Sequence, residues 1–319
     1  MRRDALTSGS GGDETETPSA LPESAGGAPP LSPGKEAWRR LRRNPVAVAS
    51  GIYILLLVFV ALFANVLAPY GYDAPDYAHR FLPPGSGHLL GTDRQGQDLF
   101  SRLLYGTRAS LGISLGVVAI ELAIGISLGL WAGYRSGLTD TLLMRFTDVM
   151  FAFPDILLAI LLVAIVQPKA GETLSPALNI ATLFFALGVV GWPGMARLVR
   201  GQALALRNKE YVEAARAIGV QEGVILRRHI LPNLLSPIIV QATQDIAGVI
   251  LSEATLSFLG LGIQPPFPSW GRMILEALRM KEAHPLLLVA PSLALAFTVM
   301  AFNFFGDALR DALDPRLRQ

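Results

Sequence analysis

Polar side chains recur along one mainly apolar stretch at 234–261, among them Gln241, Gln244, Asp245, Ser252, Glu253 and Thr255. Projected at about 100° per residue, all of these except Glu253 fall with Gly248 inside one stripe roughly 100° wide. Amide, carboxyl and hydroxyl groups on one face of such a helix either line an aqueous path or bond to neighbouring helices. Ionisable groups at membrane depth usually face a path, which makes Gln241, Gln244, Asp245, Ser252 and Thr255 translocation-path candidates. A second constellation, Tyr211-Val-Glu213-Ala214-Ala215-Arg-Ala-Ile-Gly219, continues to His229-Ile-Leu231-Pro232-Asn233. Its chemistry is recognition. Tyr211, Ala214, Ala215 and Ile218 share one helical face, and small side chains there suit a helix seated in a cleft of another protein.

Catalytic chemistry finds no footing elsewhere. The chain contains no cysteine, so disulfides, thiolate nucleophiles and thiolate metal sites are excluded. No Gly-x-x-x-x-Gly-Lys-Ser/Thr phosphate loop occurs, so ATP must be hydrolysed on another chain if it is used at all. Gly260-Leu-Gly262 meets Pro265 where a dinucleotide fingerprint needs its third glycine. His79, His88, His229 and His284 show no zinc-ligand spacing. We therefore expect no catalytic residues, no metal and no cofactor. The net charge is only +2 and the basic residues do not form a continuous patch, which excludes nucleic acid as a partner.

The elements that hold these residues are membrane helices. Of the 319 residues 51% are hydrophobic and 16% charged, against roughly a quarter charged in an ordinary soluble domain. Residues 46–67 form an uncharged run of 22, longer than a signal-peptide core and preceded by Arg39, Arg40, Arg42 and Arg43, so it reads as an uncleaved first span. Further spans are expected at 109–134, 149–166, 178–195, 234–261 and 285–305. With the N-terminus in the cytoplasm, Lys and Arg number 19 inside and 8 outside, which favours both termini inside. Four outside arginines between Arg80 and Arg108 run against that pattern. Span two carries Gly112, Gly116, Gly125, Gly129 and Gly133 at spacings that let helix backbones approach closely, and its Glu121 should face protein or water.

Local signals mark the ends. Thr92, with Gln95 in the reciprocal position, offers an N-cap, and the apolar spacing over 98–105 predicts a short interfacial helix ahead of span two. In the loop between spans four and five, Asn208 offers an N-cap, Glu210 suits a first turn, and Gly219 can end a helix in the left-handed conformation. Two short helices joined at that glycine follow, with Pro232 marking a turn into span five. The first 35 residues, rich in Gly, Ser, Thr, Pro and Glu, cannot bury enough surface to order.

On these residues the chain resembles bacterial ABC importer permeases. Glu213-Ala-Ala-Arg-Ala-Ile-Gly219 with Leu231-Pro232 resembles their EAA loop, and His229 stands where isoleucine is usual, a form familiar in the peptide branch. His88-Leu-Leu-Gly91-Thr92-Asp93-Arg-Gln-Gly96-Gln97-Asp98 is similar to the stretch before span two in dipeptide and oligopeptide permeases of the C type, although Gln97 replaces a usual arginine. The stretch 253–271 resembles their span-five exit. The resemblance covers 43–314. It implies an all-α integral membrane protein of six transmembrane helices with the type I importer permease fold and cytoplasmic termini. The corresponding divisions are 1–36 as a disordered cytoplasmic tail, 37–105 as first helix and external loop, 106–306 as permease domain and 307–319 as cytoplasmic tail.

The resemblance also implies a multi-pass protein of the cytoplasmic membrane working with a second permease subunit in a heterodimer, two ATP-binding subunits and an external substrate-binding protein. Di- or oligopeptides are the implied substrate, with nickel chelates or another small solute as the alternative. Glu213, Ala214, Ala215, Gly219, His229, Leu231 and Pro232 would make up the ATPase-docking loop. A reading from another class is an ion-driven secondary transporter with Asp245, Glu253 or Glu121 as proton relay.

Overall fold

The computed structural model describes residues 33–85, 87–166 and 175–314. The expected tail lies outside the described residues up to 32; from Pro33 the chain is already helical. Helix α1 (Pro33–Arg43) carries a Glu36–Arg40 pair at 2.7 Å and the Arg42 guanidinium over the Trp38 ring. Helix α2 (Pro45–Leu67) begins where Asn44 Oδ1 accepts from Val46 N and Ala47 N and proline fills the first turn, where a missing N–H costs nothing.

The expected interfacial helix over 98–105 is not separate. It is the start of α3 (Leu99–Arg135), one helix of 37 residues and about 55 Å by its rise per residue. Its N-cap is Asp98, which accepts from Ser101 N at 2.7 Å. Thr92 is not the cap: its hydroxyl accepts from Leu82 N and donates to the His79 carbonyl, pinning the loop over 77–98 on itself. The division placed at 105/106 therefore falls inside a continuous helix.

Span three departs most from expectation. In place of one helix at 149–166 there are α4 (Gly137–Phe151) and α5 (Asp155–Val166), bent by 87° across a short break. Pro154 stands in that break, lacks a donor and disfavours helix in the residue before it. Five described helices are long and apolar enough to cross a membrane, or six where the bent pair is counted as one span. Helix α6 (Pro176–Leu206) is capped by Ser175 and keeps Pro193 inside.

After α6 come α7 (Glu210–Ala217) and α8 (Glu222–Ile225), then a π-helical stretch, Leu226–Ile230, leading straight into α9 (Leu231–Phe258). Pro232 thus marks no turn. The wider π turn passes from Leu226 O to Leu231 N, and a proline just beyond it is accommodated within continuous helix. Asn208 is not a cap either; Lys209 takes that position without a side-chain bond. The short α10 (Trp270–Ala277) and α11 (Pro285–Leu313) complete the bundle, α11 running through the division placed at 306/307.

Helix α3 is central, packed on α6, α2 and α9. A Cβ at Gly125, Gly129 or Gly133 would collide with Met195, the Ala196 carbonyl and Ala203 of α6, so these glycines allow the two backbones to touch. Gly116 admits the Phe184 ring in the same way, whereas Gly112 faces open space.

Candidate functional site

Two features stand at different levels of the bundle. The first is a cavity of about 300 Å³ bounded by Glu121 of α3, Phe151 at the end of α4, Asp155 and Ile156 of α5, Gly191 and Gly194 of α6, and Gln244, Asp245, Gly248 and Ser252 of α9. The break between α4 and α5 forms part of its wall. Non-helical backbone at membrane depth is tolerated where it lines a cavity.

Of the five expected path residues, Gln244, Asp245 and Ser252 reach this cavity. Gln241 acts through Asp245, donating from Nε2 to Oδ1 at 2.8 Å. Thr255 does not line it; its hydroxyl donates to the Leu251 carbonyl at 2.7 Å. Gln244 also donates to Asp307 of α11 at 3.1 Å. Glu253 lies off the stripe, fully buried, and accepts from Ser257 Oγ at 2.7 Å and Ser110 Oγ at 3.3 Å. It ties α9 to α3, and through Ser257 and Ser269 to the start of α10.

The second feature is α7 and the turn that ends it. Gly219 sits at φ +79°, with Gly219 N donating to Arg216 O and Val220 N to Ala215 O, the paired bonds of a Schellman motif. Val212 and Ala215 are buried against Tyr134 of α3, Val199 and Ala203 of α6 and Leu234 of α9. Ala215 thus leaves the face expected for it and belongs to the core. Tyr211, Glu213, Ala214 and Ile218 remain outward, Ile218 being 82% exposed. Arg216 lies over the Tyr134 ring, and Arg135 pairs with Glu222 at 3.5 Å, so the segment is clamped to the end of α3. His229 is half-buried beside Tyr211, Leu231 is half-buried and Pro232 exposed.

Two family descriptions match: binding-protein-dependent transport system inner membrane component over residues 125–319, and N-terminal TM domain of oligopeptide transport permease C over residues 32–84. The glutathione transport system permease protein GsiD of Pectobacterium atrosepticum is 46% identical over 290 residues, covering 90% of this chain and 92% of that protein. The chain belongs to this family of transport permeases. The dipeptide transport system permease protein DppC of Bacillus subtilis is 41% identical, covering 91% of this chain and 88% of that one. The inward-facing MetNI methionine ABC transporter, in its native crystal form, matches with a TM-score of 0.53 at 20% identity over 68% of this chain and 98% of that one, a likeness of fold. The permease is accordingly a multi-pass protein of the cytoplasmic membrane.

At the end of the permease opposite α7 lies a third feature that sequence reading missed. A chamber of about 570 Å³ is walled by Arg80, Arg94, Arg102, Arg272 and Arg279 with Asp93 and Glu276. Arg102 is buried and bridges Asp93 to Glu276, the latter at 2.9 Å, and Asp93 in turn accepts from Gln95 N and Gln97 N. The signal was present as the outside arginines that run against the charge pattern. Arg102 is neutralised by Asp93 and Glu276, while Arg108 donates to Asn65 at 3.3 Å.

Proposed function

We propose that this chain is the permease subunit of an ABC importer that carries di- or oligopeptides inward, transports without itself catalysing a reaction, and is driven by two ATP-binding subunits seated on the Glu213 to Pro232 segment. A second permease subunit would complete the path as a heterodimer, and an external binding protein would deliver solute to the opposite end. Both termini would lie in the cytoplasm.

The observation that carries this reading is the posture of α7. Val212, Ala215 and the Gly219 turn fix its inner face, yet Tyr211, Ala214 and the highly exposed Ile218 are left uncovered next to Glu213. A rigidly held helix with an uncovered apolar patch beside a carboxylate is built to meet another protein. The relatives named for glutathione and dipeptide supply the substrate class, since both solutes are small peptides.

Glu213→Lys reverses the outward charge without touching the core. Reconstituted with its partners, the variant should insert and assemble while ATP-driven uptake falls at least about tenfold. Wild-type uptake would remove the docking assignment. The ion-driven alternative, with Glu121 and Asp245 of one cavity as its relay, requires uptake by the isolated chain under an ion gradient.

A further inference from the structure

The cavity between α3, α5, α6 and α9 is acidic on three sides. Glu121, Asp155 and Asp245 line it, and among the described residues no Lys, Arg or His does. Asp155 sits in the first turn of α5, where the N-terminal dipole of that helix offsets its charge. Asp245 has the Gln241 amide on one oxygen. Glu121 has neither form of relief. It is 3% exposed, and no described residue gives its carboxylate a hydrogen bond or an ion pair. Its side chain lies against Gly191, where any Cβ would occupy the position of Oε1, so α6 yields space to the carboxylate and offers it no donor.

A buried carboxylate without a partner is costly, and proteins ordinarily supply a cation or donors for it. Here the chain leaves Glu121 and Asp245 facing one cavity that has room for a side chain or several waters. Among the described residues no three His, Asp or Glu groups converge closely enough to hold a metal ion. The charge is spread, as suits a bulky ammonium and not a chelated metal.

We propose that this cavity is a transient seat for the ammonium group of a passing solute, with Glu121 and Asp245 as its counter-charges. For a peptide the group is the free α-ammonium or a basic side chain. The inference rests on the reading of this cavity as part of the translocation path. It adds a charge preference located in the permease itself.

The absence of cysteine from the chain allows a direct test. Ser252→Cys places one thiol on the cavity wall in the complete complex, whose partner subunits are likewise freed of cysteine. Its rates with neutral, quaternary-ammonium and sulfonate methanethiosulfonates are measured in resting and nucleotide-trapped complexes, each relative to a free thiol. The ammonium reagent, a mimic of the solute group, should outpace the sulfonate by roughly tenfold or more, since a low-dielectric cleft focuses the field of its charges. Glu121→Gln and Asp245→Asn should each reduce that ratio, the double variant should bring it to within about twofold of unity, and Glu121→Asp should preserve it.

Equal rates for both charged reagents, or a preference that survives the double variant, would overturn the seat while leaving the path intact. Failure of even the neutral reagent in every state would remove the path reading and the seat with it.

Discussion

Arg102 joins parts of the permease that are far apart in the chain. Its guanidinium joins Asp93, nine positions back, to Glu276, 174 positions on, so one side chain holds the loop over 77–98 to α10. Burial alone would raise the Glu276 carboxyl, but Arg102 and then the Arg272 hydrogen bond pull harder and hold it below the ordinary value of 4.5. A depressed carboxyl contributes stability that is present above its unfolded value and lost as pH falls through the folded one. The thermal midpoint of the detergent-solubilised complex should therefore be flat from pH 8 to about 5.5 and fall below about 4.5, and Glu276→Gln should lower the neutral-pH midpoint and shrink the acid-side fall. An identical acid limb in that variant would assign it to other groups. The reach of Arg102 to Glu276 was not legible in sequence. Hydrophobic and charge patterns report on neighbours along a helix, and a pair separated by 174 positions leaves no periodic trace. Asp98 was obscured differently: Thr92 and Asp98 are both good caps, and the choice depended on Thr92 being engaged by the Leu82 and His79 backbone.

Long apolar helices were the most legible elements, because the first and second spans need only length, hydropathy and a cap. Breaks were the least legible. Residues 149–166 read as one apolar run, yet Pro154 and the polar Asp155 interrupt it, leaving α5 with 12 residues. The break sets Phe151 and Ile156 on the cavity wall. The glycines of α3 were legible as a close-packing face, but their partners were not. Gly129 meets the Ala196 carbonyl and Val199, whereas Gly112 meets nothing within 4 Å. Gly129→Val should therefore force α3 and α6 apart at a cost of about 1–3 kcal/mol or more, seen as a lower midpoint and reduced assembly. Gly112→Ala is the contrasting case, neutral or stabilised by up to about 1 kcal/mol through helix propensity. Equal losses in both would mean that the glycines matter for backbone flexibility and not for contact.

Orientation is a property of the whole molecule, and three independent features align along one axis. Helix α3 leaves the loop over 77–98 at Leu99 and reaches the α7 segment at Arg135, where Arg135 meets Glu222. Helix α9 runs in the reverse sense, from the π-helical stretch beside α7 to the loop before α10. The uncovered Ile218 and the arginine-walled chamber consequently occupy opposite ends. The end bearing Ile218 holds Arg197, Arg200, Arg207, Lys209, Arg216, Arg227 and Arg228, and a cationic excess near span ends marks the cytoplasmic side. Single cysteines can decide the matter in a chain that has none of its own. Leu89 is 65% exposed and Ile218 82% exposed, so each position offers a reachable thiol. In intact cells or spheroplasts expressing the complex, a membrane-impermeant maleimide should label Leu89→Cys at once and leave Ile218→Cys unlabelled until the membrane is permeabilised. Partner ATPases covering the α7 face should slow the second reaction even after permeabilisation, and stripping them should restore it. Labelling of Ile218→Cys from outside would invert the molecule, placing the docking segment beyond the reach of any cytoplasmic ATPase.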